Sequence, residues 1–207
     1  MKNFLAEYGQ PYSEMLGIEL KSKRNAEIVK WFLASILYSK PIRETSATRT
    51  YQVFAKNRIT TARRIVNTGW DRLVQLLDEG GYTRYDFSTA DKLLEVFGHL
   101  EKRYDGDLRR VYEQSRNAEE LETNLKGLGK GIGDTTISIF LRDMRHIWPK
   151  ANPRPTSLVT VALRQLQIED VAQYARKHSL DAVQLETALV RYAKNILKNG
   201  KSLSLEP

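Results

Sequence analysis

The stretch Leu125 to Trp148, LKGLGKGIGDTTISIFLRDMRHIW, constrains this chain more than any other. Gly127, Gly129, Gly131 and Gly133 alternate there with Leu128, Lys130 and Ile132. Glycine tolerates positive φ and lets bare amides approach a ligand, so this segment is expected to be a tight turn. After Asp134, the apolar residues Ile137, Phe140, Leu141, Met144 and Ile147 recur at helical spacing. That spacing predicts a helix with one buried face and with Ser138, Arg142, Asp143 and Arg145 on its polar side. A helix N-terminus directly after a glycine turn presents N–H groups and a partial positive charge, which favour a phosphate.

Charge bears on the partner such a turn would meet. The 207 residues carry 33 Lys and Arg against 25 Asp and Glu, a net charge of +8, and the pI is near 9.6. This balance favours an anionic partner such as nucleic acid, although a basic surface also serves solubility alone. Cysteine is absent, which excludes disulfides, thiolate metal sites and cysteine-held iron–sulfur clusters. His99, His146 and His178 lack the spacing of a ligand set, and no metal site is expected. With no long apolar run and no signal-peptide pattern, the expectation is an intracellular protein, cytoplasmic or nucleoid-associated, with no membrane partner.

The rest of the chain reads as helices with short connections. Up to Arg24, Phe4 with Leu5 and then Met15, Leu16, Ile18 and Leu20 mark two short ones. Asn25 is a candidate N-cap for a helix with the stripe Val29, Phe32, Leu33, Ile36 and Leu37, which Pro41 ends. A helix from Thr45 or Ser46 turns Ala47, Thr50, Tyr51 and Phe54 inward, and a short basic one runs through Arg63 and Arg64. Trp70, Leu73, Val74 and Leu77 share a face of the next helix, stopped by Gly80 and Gly81. A loop over Tyr82 to Phe87 leads to a helix capped by Ser88 and carrying Leu93, Leu94, Phe97 and Leu100. Asp105 and Gly106 make a turn before Leu108, Val111 and Tyr112, and Asn117 with Glu120 caps a helix holding Leu121 and Leu125. Pro149, Pro153 and Pro155 impose a stiff basic connector. Three helices follow, over Leu158 to Leu166, Val171 to Ala175 and Leu185 to Ile196, the last stopped by Gly200 ahead of a frayed end. No strand-period segment or internal repeat interrupts this pattern, so an all-α protein is expected.

Helix, glycine hairpin and helix in a basic all-α chain resembles the helix-hairpin-helix DNA glycosylases of the endonuclease III superfamily. GlyIleGly at 131 to 133, followed by IleSerIlePheLeuArgAsp at 137 to 143, is similar to the archaeal 8-oxoguanine lyase branch. A competing register, Leu125, Gly127, Leu128 and Gly129, keeps the leucine such hairpins carry. The Gly131 and Gly133 register is preferred because the apolar stripe then begins where the second helix should. The resemblance implies a two-lobed helix-hairpin-helix DNA glycosylase fold. Residues 25–149 would form a helical barrel domain with the hairpin unit at about 118–148, and 1–24 with 150–207 the second lobe. Double-stranded DNA, damaged or abasic, would lie across the groove between them. A nucleotide would flip out of the stack at a cost of a few kcal/mol.

The family's catalytic lysine stands two residues after the second hairpin glycine, which is Thr135 here, or Gly131 in the other register. A hydroxyl cannot form the Schiff base that an amine forms, so lyase chemistry through this position is not expected. The family's aspartate falls at Pro155. Asp134 and Asp143 are weak substitutes, since helix capping suits the first and an ion pair with Arg142, Arg145 or Lys150 suits the second. Lys40 and Tyr38 lie where a wedge residue would. Phosphate contacts are expected from Gly129, Gly131, Ile132, Gly133 and Thr135, with Lys126, Lys130, Arg142, Arg145, Lys150 and Arg154 supplying charge. No cofactor is expected, though a monovalent cation at the hairpin is compatible with the resemblance. The chain is thus expected to be a DNA-binding member of the base-excision-repair glycosylase superfamily with its chemistry altered or lost. The alternatives are an active monofunctional glycosylase and a non-catalytic DNA-structure binder or repair adaptor, with an RNA-binding helical protein farther behind.

Overall fold

The computed structural model describes residues 1–195, so Ile196, Gly200 and the last seven residues lie outside the described range. Every regular element among the described residues is helical. In chain order they are α1 (Lys2–Tyr8), α2 (Tyr12–Met15), a 3-10 turn (Leu20–Ser22), α3 (Asn25–Tyr38), α4 (Glu44–Lys56), α5 (Ala62–Thr68) and α6 (Trp70–Glu79). There follow α7 (Asp86–Tyr104), α8 (Leu108–Gln114), α9 (Ala118–Lys126), α10 (Asp134–Met144), α11 (Ser157–Gln165), α12 (Val171–Lys177) and α13 (Ala182–Asn195). The chain divides into two compact units, residues 18–153 and residues 1–17 joined by 154 onward. Residues 18–24 and 150–153 thus belong with the middle unit: the 3-10 turn packs on α3, and Lys150 and Pro153 bond to groups within that unit.

The middle unit is built around α3. Its residues Ile28, Trp31, Phe32, Leu33, Ala34, Ile36 and Leu37 are all fully buried, as a helix apolar on every side requires. It packs on α4, α8 and α10. Phe32 sets its ring edge-on to Phe97 of α7 and Phe140 of α10, with centroids 6.0 and 5.0 Å away. Trp31 Nε1 donates to the Phe140 carbonyl at 3.0 Å, so its one polar atom is satisfied inside the core. Asn25 is the first helical residue rather than the cap. Its carboxamide instead donates to Gly106 O and accepts from Leu108 N, joining the start of α3 to the turn before α8.

The longest helix among the described residues, α7, has 19 residues and starts at Asp86, ahead of the expected Ser88 cap. The preceding loop is not polar throughout, because Tyr82 is buried and its hydroxyl donates to Leu37 O at 2.6 Å. Several helices end in one hydrogen-bond pattern with a left-handed residue at its centre. In α4, Arg58 N–H donates to Ala55 O and Ile59 N–H to Phe54 O, with Arg58 at φ +60. Gly81 supplies the left-handed residue after α6, whereas Asp105, Gln167 and Ser179 supply it after α7, α11 and α12.

The unit formed by the chain ends is organised on α13, which packs on α1, α11 and α12. Phe4 meets Tyr192 edge-on at 5.9 Å. The Arg191 guanidinium donates to Tyr8 O and Gln10 O, both at 2.6 Å, and lies 4.5 Å from the Tyr12 ring centroid. One charged side chain thereby ties the N-terminal segment to the last described helix.

Candidate nucleic-acid interface

The hairpin joins two helices with clear local causes. Asn117 Oδ1 accepts from Glu120 N at 2.9 Å and caps α9, while Leu121 and Leu125 bury its inner face. The second helix, α10, begins at Asp134 directly after Gly133, where the Gly131 and Gly133 register places it. Leu128 and Ile132 are buried and pin the turn, leaving Lys130 exposed between them. Gly131 has φ +81, and a Cβ there would lie 2.6 Å from Lys92 Cε. Backbone and neighbour both call for glycine at this position. Gly133 differs, since its φ is −100 and a Cβ would meet nothing within 4 Å. The fold has no need of glycine there.

The hairpin rests on one edge of α7. Lys92, Glu95, His99 and Arg103, spaced by three, four and four residues, share that edge. Lys92 Nζ donates to Gly131 O at 2.9 Å, and Arg103 Nη1 donates to Gly127 O at 3.1 Å. His99 Nδ1 is 2.8 Å from Leu128 O, and because a carbonyl only accepts, that nitrogen carries the proton. Glu95 Oε1 accepts the Lys130 N–H at 3.2 Å. Within the turn, Ile132 N–H donates to Gly129 O and Ile137 N–H to Gly133 O. The carbonyls of Gly127, Leu128, Gly129, Gly131 and Gly133 are therefore occupied. The exposed Gly131, Gly133 and Thr135 have amides with no acceptor among the described residues. Neighbouring N–H groups left without an acceptor attract an anion without any side chain.

Lys92 is 7% exposed. Burial, and after it the charge of neighbouring Lys40, lowers its amine to about 8. No signal in the sequence marked this helix edge, because a polar stripe on a helix is ordinarily a solvated one.

No family model, curated protein or solved structure matches this chain. Among the described residues, no group of His, Asp and Glu is placed to hold a metal ion, and no helix is long and apolar enough to cross a membrane.

The expected cations do not form one cluster. Lys126 pairs with Asp134 at 2.6 Å. Asp134 is not the cap, a place taken by Gly133, but the first helical residue, where a negative charge suits the helix end. Its side chain is 90% exposed. Arg142 and Asp143 were assigned to the polar side of α10, and the structure corrects this: both side chains are buried and pair at 2.7 Å. Thr136 and Ser138 are buried as well, so α10 is covered well beyond its apolar stripe. Each charge of the pair makes the other's burial tolerable. That position removes Arg142 as a phosphate ligand and Asp143 as a catalytic carboxylate open to a substrate.

Lys150 also has another task. Its ammonium donates to Tyr112 O and Ser115 O at the C-terminal end of α8 and lies 3.9 Å from the Tyr112 ring centroid, which stacks on Trp148 at 4.9 Å. A cation at a helix C-terminus satisfies carbonyls and the dipole together, so this lysine is not a phosphate ligand. Arg145 Nη2 donates to Pro153 O at 3.3 Å. Arg154 is exposed and opens the second segment of the other unit. Thr135 and Pro155 are exposed and offer neither an amine nor a carboxylate. Tyr38 is no wedge, being buried with its hydroxyl 2.6 Å from Thr48 Oγ1. Lys40 is half-buried, with its Nζ 5.3 Å from the Tyr85 ring centroid.

Proposed function

We propose that the chain is a DNA-binding protein that takes a duplex phosphate on the amides of Gly131, Gly133 and Thr135, with glycosylase chemistry altered or lost. One observation carries the proposal: the carbonyls of Gly127, Leu128, Gly129, Gly131 and Gly133 accept from α7, from the turn and from the start of α10, while the amides of the three exposed residues have no acceptor among the described residues. Lys130 adds charge at the tip, and the Lys126 pair offsets the carboxylate of Asp134 that would repel a phosphate. Thr135 in place of an amine supports binding without a Schiff-base step.

The open surroundings of Gly133 make the test clean. Gly133→Leu costs no more than the N-cap preference, a few degrees of thermal midpoint, and lowers affinity for duplex DNA, with a shallower salt dependence, in fluorescence anisotropy at two salt concentrations. Unchanged affinity and slope in that variant overturn the proposal. A panel of duplexes with uracil, oxidised and alkylated bases yields no released base if the chemistry is lost, whereas release of any one identifies an active enzyme.

A further inference from the structure

A second group of cations lies between the end of α4 and α6. Lys56, Arg58, Arg63, Arg64 and Arg72 are all exposed, and among the described residues none has a carboxylate within 4.0 Å. Arg24, Arg109, Arg110 and Arg116 each have one, whereas Arg43, Arg49, Arg84, Arg103, Arg164 and Arg176 also have none among the described residues but line no such pocket. Arg58 and Arg64 line an open pocket of about 330 Å³ together with Asn57, Ile59, Asn67 and Thr68, and no acidic residue is among the lining.

The local fold decides which donors stay available. The left-handed turn at Arg58 ends α4 and places this residue past the helix, in the lining of the pocket. Arg64 Nη1 donates to Arg58 O at 2.9 Å, which orients that guanidinium and leaves its other edge unused. The Asn57 carboxamide is committed to Val53 O and to Arg72, and the Thr68 hydroxyl donates to Arg64 O. The Arg58 guanidinium, the remaining N–H groups of Arg64 and the Asn67 carboxamide have no partner among the described residues. Two guanidinium forks and an amide, with no competing acid, match an ion with several oxygens better than a single carboxylate.

We propose that this pocket binds a phosphate group, held by Arg58 and Arg64 with Asn67 as a third donor. The phosphate comes either from a nucleic-acid backbone or from the free ion. The proposal stands apart from the hairpin, since it uses none of its residues.

The test uses the full chain with Arg58→Gly and Arg64→Gln combined. Glycine keeps the left-handed turn, so the fold is preserved, and a matching thermal midpoint verifies this. Lys21→Gln with Lys23→Gln removes the same charge from another exposed segment and serves as the control. Inorganic phosphate is titrated by calorimetry at low ionic strength, and duplex DNA affinity is measured across a salt series. For a backbone phosphate, the pocket variant loses about tenfold in DNA affinity relative to the control, with a salt slope smaller by about one. For free phosphate, its calorimetric affinity falls about tenfold while DNA binding matches the control. Either result supports the site. Equality of variant and control in both measurements overturns it, as does a wild-type chain that binds neither ligand. Loss of DNA binding in Gly133→Leu with phosphate binding intact speaks to the hairpin alone.

Discussion

Replacing Gly131 with alanine tests whether the hairpin's shape is set by α7. The residue sits at φ +81, and an L side chain in that left-handed region costs roughly 1–2 kcal/mol. The added Cβ would also stand 2.6 Å from Lys92 Cε and 2.9 Å from its Nζ. That contact is with the end of a flexible side chain, so Lys92 moves and its bond to Gly131 O breaks. A hydrogen bond from a charged donor is worth about 1.5–3 kcal/mol, part of which returns when the displaced amine reaches water. The expected destabilisation is therefore about 2–4 kcal/mol. Gly133→Ala, with ordinary φ and open space, loses only the N-cap preference for glycine over alanine, about 0.5–1 kcal/mol. Urea unfolding followed by tryptophan fluorescence reads this well, because Trp31, Trp70 and Trp148 all belong to the middle unit. Equal stabilities for Gly131→Ala and Gly133→Ala would refute the reasoning.

Lys92 predicts a pH dependence. Its folded amine titrates at about 8, whereas an unfolded lysine titrates at about 10.4, so between these values the unfolded chain holds a proton that the folded chain lacks. Stability then rises with pH across that window by up to about 1.4 kcal/mol per pH unit relative to Lys92→Met, and a flat difference between the two proteins from pH 7 to 10 counts against the burial argument. Asp143→Asn leaves the buried Arg142 guanidinium without its carboxylate, and urea unfolding should report a loss of about 3–5 kcal/mol; a loss below about 1 kcal/mol contradicts the paired burial. Asp134→Asn removes the exposed carboxylate at the start of α10 and releases Lys126. Duplex DNA then binds more tightly and with a steeper salt dependence, and weaker binding instead argues against a phosphate at this helix end.

Local features were legible in the sequence and long-range ones were not. The stripe of α10 as far as Met144, where the helix ends short of the expected Ile147, the apolar run of α3 and the Asn117 cap depend on neighbours within a few residues, and periodicity reports such neighbours directly. The place of the turn before α10 followed from the same pattern. The ion pair of Asp143 with Arg142 was among those expected, but its burial was not legible, because a charge pattern does not show that each residue's burial depends on the other. Asn25 has the chemistry of a cap, but its partners, Gly106 and Leu108, lie about eighty residues away. The ends of α4, α7, α11 and α12 carry Arg58, Asp105, Gln167 and Ser179 where a search for glycine finds nothing. Hydrogen bonds back into each helix offset the strain those residues bear.

On the proposed reading, the four α7 side chains that tether the hairpin bear on how fast it would bind. A turn tied down at Gly127, Leu128, Lys130 and Gly131 does not have to find its shape when an anion arrives. If the hairpin takes a phosphate as proposed, these tethers lower the conformational cost of binding. Encounter is then set by diffusion and charge, and the association rate should follow solvent viscosity and ionic strength.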